Sequence, residues 1–520
     1  MIKDFEAEKA LREAYDVCII GAGPAGITLA LQLAQAGWSV VLLEGGGREY
    51  EPRSQELYAC TSTGLELYAE QTRLRYLGGT SNHWAGRCRP FTSSDFAVAP
   101  PVGLPGWPID YAQIERYLPA AMAIVDLPHG AGFKTVNTGL NGGEFDADCF
   151  LLSPPTRFAQ KYASALNETP GLEVFINCNC VDLEFDQASG QLKAAVVSDY
   201  DQHRERVAAN QFVLAMGAIE NARQLLNSAS LVGAGVVKKE GLTGRCLMEH
   251  LNIDLGTFIL KDGLGTEPRQ YYTTDAFVAE YHAGKGNVSA TVLSDVQTYG
   301  RTAEVKYFLE TLACQMGLAS KIEFVAKFSC PGDGVMTTMI EQFPDAQSRI
   351  SLLDETDELG VAKVNVNWVL SATDRHTIKC IGAELAKQFA QAGLGFVKLN
   401  DFVYDTELPL KLSPHAHHMG TTRMAASPEF GVVDANCKVF GSENLYIAGS
   451  SIFATGGASN PTMPLLQFAL RLADHLDTKM KAASGAVVRR DEQCGERVER
   501  DTVSIKKNET GSPQGQSRTA

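Results

Sequence analysis

Tyr15-Asp16-Val17-Cys18-Ile19-Ile20 leads straight into Gly21-Ala22-Gly23-Pro24-Ala25-Gly26, and the reading of this stretch decides the fold. The first six residues are a short apolar run of strand length, and the next six are a GxGxxG turn. Ile27 to Ala36 then reads as an almost wholly apolar helix closed by Gly37, and Trp38 to Leu43 as a second buried strand ending at Glu44. The three glycines answer different physical needs. Gly21 allows the tight turn, Gly23 lets backbone approach a pyrophosphate, and Gly26 lets helix and strand pack closely. Glu44 falls 18 residues beyond Gly26, close to the ~20 at which an acidic side chain meets ribose hydroxyls. The unit is a dinucleotide cradle, and the motif does not separate NAD from FAD.

Working outward, Phe212 to Ile219 reads as a buried strand running into a glycine turn and a helix from Glu220 to Asn227, a late strand of the same sheet. Asn444 to Gly449 is another buried strand, and Pro461 to Leu476 another helix. Between Leu251 and Pro414 the pattern changes. Arg349 to Leu352 and Lys363 to Trp368 alternate polar and apolar residues, as strands of an antiparallel sheet with one exposed face do. The predicted fold is therefore α/β: a Rossmann-like, discontinuous nucleotide domain over 12–92, 150–245 and 415–478, with a connecting or lid segment at 93–149. An inserted α+β substrate domain at 246–414, built on a mainly antiparallel sheet, completes it. From about Lys479 to Ala520 the chain turns polar and charged and reads as a disordered tail.

Composition bounds the function. With 520 residues, 45% hydrophobic and 21% charged, the chain has room for several domains and a large core. A net charge of −15 disfavours nucleic acid and anionic membrane surfaces. No basic N-terminal segment precedes an apolar core and no apolar stretch reaches spanning length, so the expectation is a cytoplasmic protein with no integral membrane segment. The 12 cysteines are scattered, and Cys178 and Cys180, alternating on a strand, lack CxxC spacing, which reads as reduced, mostly buried thiols.

Chemistry enters with His417-His418-Met419-Gly420-Thr421-Thr422-Arg423-Met424 and Ala458-Ser459-Asn460-Pro461-Thr462. An imidazole is suited to taking a proton near neutral pH, and an amide beside it can hold the oxygen that loses that proton. Taken alone, Asn460 equally suits the N-cap of the following helix. His415, His417 and His418 lack a carboxylate or cysteine at ligand spacing, so no metal is expected. Arg423 reads as a structural ion-pairing or hydrogen-bonding residue. Glu249 and His250, near the domain junction, receive no chemistry.

Five ordered motifs resemble the glucose-methanol-choline (GMC) oxidoreductase family from about residue 14 to residue 478. They are Gly21 to Gly26 with Glu44, Leu77 to Trp84, Gly217 to Arg223, Gly244 to His250, and the His417 and Asn460 segments. The resemblance implies FAD rather than a nicotinamide. It places FAD contacts at Gly21, Gly23, Gly26, Glu44, Gly79, Ser81, Asn82, His83, Val181, Gly217, Gly449, Ser450, Pro461 and Thr462. It further implies that His417 takes the hydroxyl proton as hydride leaves the carbinol carbon for flavin N5, while Asn460 donates to the substrate oxygen. A helix starting near Pro461 would aim its positive end at the negative charge gained by the flavin.

The loop Gly78 to Trp84 is similar to one that carries a flavin-linked histidine in part of the family, so FAD is expected either covalently through His83 or non-covalently. Thr421 to Met424 and Ser459 to Thr462 look closest to the sugar-oxidising branch, which implies a sugar, glycoside or related polyol as substrate. Ala454 stands where many relatives carry proline, and Gly449-Ser450 replaces the Asp-Ala of the choline-type branch. The electron acceptor is left open among oxygen, a quinone and a redox protein. A family lyase that keeps FAD without net redox, a non-sugar alcohol substrate, and a non-catalytic flavin protein are the competing readings.

Overall fold

In a computed structural model of the chain, the described residues are 1–9, 11–97, 103–128, 135–136, 140, 142–148, 150–261, 269–292, 333–405 and 407–484. They fall into a large compact unit, Met1–Arg471, and a second one beginning at Leu472. Residues 485–520, which hold most of the expected tail, lie outside the described residues.

The nucleotide sheet forms as its apolar runs require. Strands Ile2–Asp4, Leu172–Ile176, Val40–Leu43, Tyr15–Ile20, Arg204–Leu214 and Leu445–Ile447 lie side by side, all parallel. Val17 to Ile20 and Val40 to Leu43 are buried throughout, as a sheet covered on both faces demands. Arg204–Leu214 is shared between two pairings: its first half pairs antiparallel with Gln191–Ser198, and its second half joins the parallel strands. The first helix is Pro24–Gln35, starting earlier than Ile27 because proline is tolerated in a first helical turn.

The second large sheet is antiparallel, in the order Gly395–Leu399, Leu251–Leu260, Asp333–Ile340, Gly286–Val292, Arg269–Thr273, Phe145–Asp148 and Thr135–Val136. Helix Ala372–Gln391, closed at its start by a capping box between Ser371 and Asp374, supplies Ile378, Ile381, Leu385 and Phe389 to the core that backs this sheet. Strand period does the sorting. Leu251, Ile253, Leu255, Val288, Ala290, Val292, Met336 and Ile340 enter that core, so the alternate residues point the other way.

Three expectations need correction. Arg349–Thr356 and Ala362–Trp368 do not join the antiparallel sheet; they form a separate three-stranded sheet with Cys60–Gly64, where Val364, Val366 and Trp368 are buried. Alternation revealed the strands but carries no record of their partner. Phe145–Asp148, inside the expected connecting segment, is instead a strand paired with Arg269–Thr273. The C-terminal helix is Thr462–Ala483, so it runs past Lys479. Its last turns hold helix-favouring Met, Lys and Ala, with Asp477 and Lys481 paired one turn apart at 2.7 Å.

Candidate functional site

A cavity of about 810 Å³ runs from the Gly21 turn to His417 and Asn460. The nucleotide end is made of backbone. Gly21 has φ +104°, and a Cβ there would lie 2.6 Å from the Ala215 carbonyl oxygen; one on Gly26 would lie 1.9 Å from that of Gly21. A Cβ on Gly23, Gly217 or Gly449 would meet nothing within 4 Å, and all three glycines line the cavity, so bare backbone faces open space there. That is the surface a pyrophosphate needs. Glu44 is buried and its two oxygens accept from Ala22 N–H at 3.0 Å and Gly46 N–H at 2.9 Å. A carboxylate has about four lone-pair sites, so capacity for ribose hydroxyls remains.

The Gly217 turn is tied to the Gly449 turn by Asn221, which is fully buried. Its Oδ1 accepts from Met216 N–H at 2.9 Å, and its amide donates to Ala448 O at 3.2 Å and Ser451 Oγ at 3.0 Å. Arg73 and Arg223 close on Glu220 at 2.6 and 3.1 Å, and Arg223 also meets Asp357 at 2.7 Å. These contacts give structural work to the Glu220-Asn221-Ala222-Arg223 motif.

The His83 loop is a short 3₁₀ turn, Gly79–Asn82, entered through Gly78 at φ +92°. Ser81 Oγ donates to Gly78 O at 2.7 Å, and Arg157 braces the loop at the Ser81 and Trp84 carbonyls at 2.8 and 2.9 Å. His83 lines the cavity, and partial burial, then the Arg157 guanidinium, holds its ring below the usual histidine range. Of the predicted FAD contacts, all but Gly26 and Asn82 line the cavity. Gly26 packs against the Gly21 turn, and the Asn82 amide donates to Leu77 O at 2.9 Å, holding the loop.

At the far end, Met248 and Met419 exchange backbone hydrogen bonds at 3.0 and 2.9 Å, bringing Glu249 and His250 against His417 and His418. His417 Nε2 lies 3.0 Å from Asn460 Nδ2, and His417 Nδ1 lies 2.8 Å from His250 Nδ1. The His417 N–H donates to both Glu249 oxygens at 2.8 Å, and the His250 N–H to Glu249 Oε1 at 2.9 Å. Burial pushes His417 well below the usual histidine range, His250 and His415 to about 4 and His418 to about 3, so these rings are neutral near pH 7. Burial likewise lifts the Glu249 carboxyl to about 8.

Asn460 is therefore aimed at His417, and Pro461 O accepts the first backbone bond of the following helix, from Leu465 N–H at 2.9 Å. That helix starts at Thr462, and Pro461 and Thr462 line the cavity, so its positive end opens onto the cavity. Arg423 is fully buried and donates to Pro105 O at 2.8 Å and Ala454 O at 3.4 Å, a structural role.

Sequence reading missed the cavity's other wall. Asn252, Asn287, Ser289, Thr291, Thr337 and Met339 line it from the antiparallel sheet. Asn287 pairs with Met339 and Ser289 with Thr337 across neighbouring strands. The signal was present in Asn287 to Val292, where polar and apolar residues alternate.

Comparisons with known proteins bear on the family and the fold. Residues 16–229 match the family model for FAD dependent oxidoreductases, and residues 344–469 match that for GMC oxidoreductases. The chain is 23% identical to 2-methyl-1,2-propanediol dehydrogenase of Mycolicibacterium austroafricanum, over 89% of this chain and 95% of that one. It is also 23% identical to the fructose dehydrogenase large subunit of Gluconobacter japonicus, covering 90% and 98% respectively. The crystal structure of pyridoxine 4-oxidase from Mesorbium loti superposes with a TM-score of 0.56 at 18% identity, over 89% of this chain and 99% of that one. A backbone-lined nucleotide cradle, a histidine and amide at its far end and both family matches lead to one conclusion: the chain is an FAD-dependent oxidoreductase of the GMC family.

Proposed function

We propose that the CH–OH group this oxidoreductase oxidises belongs to a sugar, a glycoside or a related polyol, with His417 as the base and Asn460 as its oxygen-binding partner. The observation that carries the reading is that two surfaces share one cavity. His417 and Asn460 line it, and Asn252, Asn287, Ser289, Thr291 and Thr337 line it from the antiparallel sheet. A polyhydroxylated ring entering a desolvated cavity needs a partner for each hydroxyl it takes out of water. A row of amides and hydroxyls meets that need and an apolar wall does not. Fructose dehydrogenase and 2-methyl-1,2-propanediol dehydrogenase, by their names, act on substrates of this class.

When bound, FAD supplies the two-electron acceptor for the hydride leaving the carbinol carbon. Gly21, Gly23, Glu44, Gly79, Ser81, His83, Val181, Gly217, Gly449, Ser450, Pro461 and Thr462 would hold it, since they line the cavity. His417 is neutral, so its ring can take the hydroxyl proton without first losing one. Asn460 has two amide N–H donors; one meets His417, and the second is available to a substrate oxygen.

The experiment is anaerobic addition of sugars, glycosides, aminocyclitols and simple alcohols to the purified flavoprotein. Bleaching of flavin absorbance by polyols supports the reading, whereas bleaching by none of the panel would favour a redox-silent lyase. Reoxidation with air, compared with a quinone or dye, identifies the acceptor; we favour a dehydrogenase, for which rapid peroxide formation would be the contrary result. A covalent bond from His83 to FAD is supported by the position of its neutral ring on the cavity. Acid precipitation that leaves all flavin in the supernatant would rule it out. A cytoplasmic setting is our reading too. It is supported by the eight cysteines among the described residues, all free, and among those residues no helix is long and apolar enough to cross a membrane.

A further inference from the structure

His250 is fully buried, lies outside the proposed acid–base pair, and touches His417 directly. Two nitrogens facing each other at 2.8 Å cannot both carry protons and cannot both be bare. Which ring donates is decided at the opposite edge of His250. There Nε2 lies 2.7 Å from the Gly457 carbonyl oxygen, a group that only accepts, so Nε2 carries a hydrogen. His250 is neutral in this buried position, so its Nδ1 is a bare acceptor. The hydrogen between the rings then belongs to His417 Nδ1, and the lone pair of His417 is left on Nε2, the nitrogen that faces Asn460.

We infer that His250 is a positioning residue that fixes the tautomer of His417, so that the basic lone pair stands on Nε2 beside Asn460. The inference rests on the proposed role of His417 as base. In the serine hydrolase triad a buried carboxylate orients the catalytic imidazole in this way; here a neutral imidazole does so. The frame around it is rigid. Glu249 clamps the backbone of both histidines, and Glu341 Oε1 accepts from Gly457 N–H at 3.0 Å, fixing the peptide next to the carbonyl that sets His250. When His417 takes a proton on Nε2, its Nδ1–H still points at the His250 lone pair, while the Asn460 N–H that Nε2 accepts at 3.0 Å has to turn away, toward the substrate oxygen.

Two substitutions separate this role from simple support of the Gly457 loop. His250→Asn can present an amide oxygen where Nδ1 stood and keeps the acceptor for His417. His250→Gln can present an amide N–H where Nε2 stood and keeps the contact with Gly457, but loses the acceptor. Anaerobic flavin reduction by a bleaching substrate gives the limiting rate and the half-saturating concentration of each, with bound FAD and melting temperature as controls.

The expected result is a limiting rate within about 5-fold of wild type for Asn and about 10²-fold lower for Gln, as for loss of a general base, with half-saturation moved less than about 3-fold in both. A Gln variant as fast as Asn, a slower Asn than Gln, or equal losses in both would overturn the inference. His417→Ala, run alongside, keeps the two claims apart. If it reduces flavin as fast as wild type, the base assignment falls; if it is dead while Gln is fast, only the role of His250 falls.

Discussion

The two walls of the cavity are built by opposite means. The nucleotide wall is backbone, with glycines at 23, 217 and 449 leaving space where side chains would stand, and Gly21 packed where none would fit. The substrate wall is side chains, with Asn252, Asn287, Ser289, Thr291 and Thr337 projecting from three strands of a sheet whose other face is core. A backbone wall tolerates almost no substitution, because any Cβ collides or fills the cradle. A side-chain wall on a stable sheet can change its chemistry while the fold stays. The cofactor is therefore the constant of this molecule, and the substrate is its variable.

Substitutions sharpen that contrast. Gly26→Ala should have the largest effect: a Cβ at 1.9 Å from Gly21 O forces helix and turn apart, and we expect purified protein with little or no flavin absorbance. Full flavin content in this variant would break the contrast. Asn460→Ala should keep FAD and lose about 10²-fold in flavin reduction rate, by analogy with removal of an oxyanion-holding amide; a rate within about 3-fold would deny Asn460 its role.

On the opposite wall, Ser289→Ala or Thr337→Val should leave FAD content intact and raise half-saturation about 5- to 10-fold for a polyol, as expected for about 1 kcal/mol per lost hydrogen bond. Simple alcohols should be little affected, and equal losses for both substrate types would speak against a polyol surface. The smallest effect is on pH. His417 is held well below the usual histidine range by burial, so it stays the neutral base as pH falls. The carboxyls beside it titrate higher, Glu249 at about 8 and Glu341 at about 7, so the limiting rate should carry no separate fall from His417 at about 6.5, the unperturbed histidine value. A fall centred near 6.5 in that profile would contradict a buried, neutral base.

How much of this was legible in the sequence follows the same division. Backbone requirements leave a local signature, so Gly21, Gly23, Gly26 and Glu44 could be read as a unit from spacing alone. The His417 and Asn460 segments are also local, and the structure brings them within 3.0 Å of each other. What was not legible depends on pairing between distant strands. Arg349–Thr356 and Ala362–Trp368 alternate as strands must, yet nothing in their alternation names Cys60–Gly64 as the neighbour. Asn252, Ser289 and Thr337 meet only after the register of three strands is set. Glu249 and His250 were visible as a motif without a role, because their contacts depend on a two-residue bridge, Met248 to Met419, that no periodicity announces.

The central claim is that His417 is the base for polyol oxidation at this cavity. It is tested most directly by single-turnover, anaerobic reduction of the bound flavin by the best polyol of the panel, in wild type and His417→Ala at equal FAD content. The account predicts rapid bleaching in wild type and a limiting rate lower by about 10²- to 10⁴-fold in the variant, with the flavin spectrum before mixing unchanged. Bleaching at the wild-type rate in His417→Ala would contradict it.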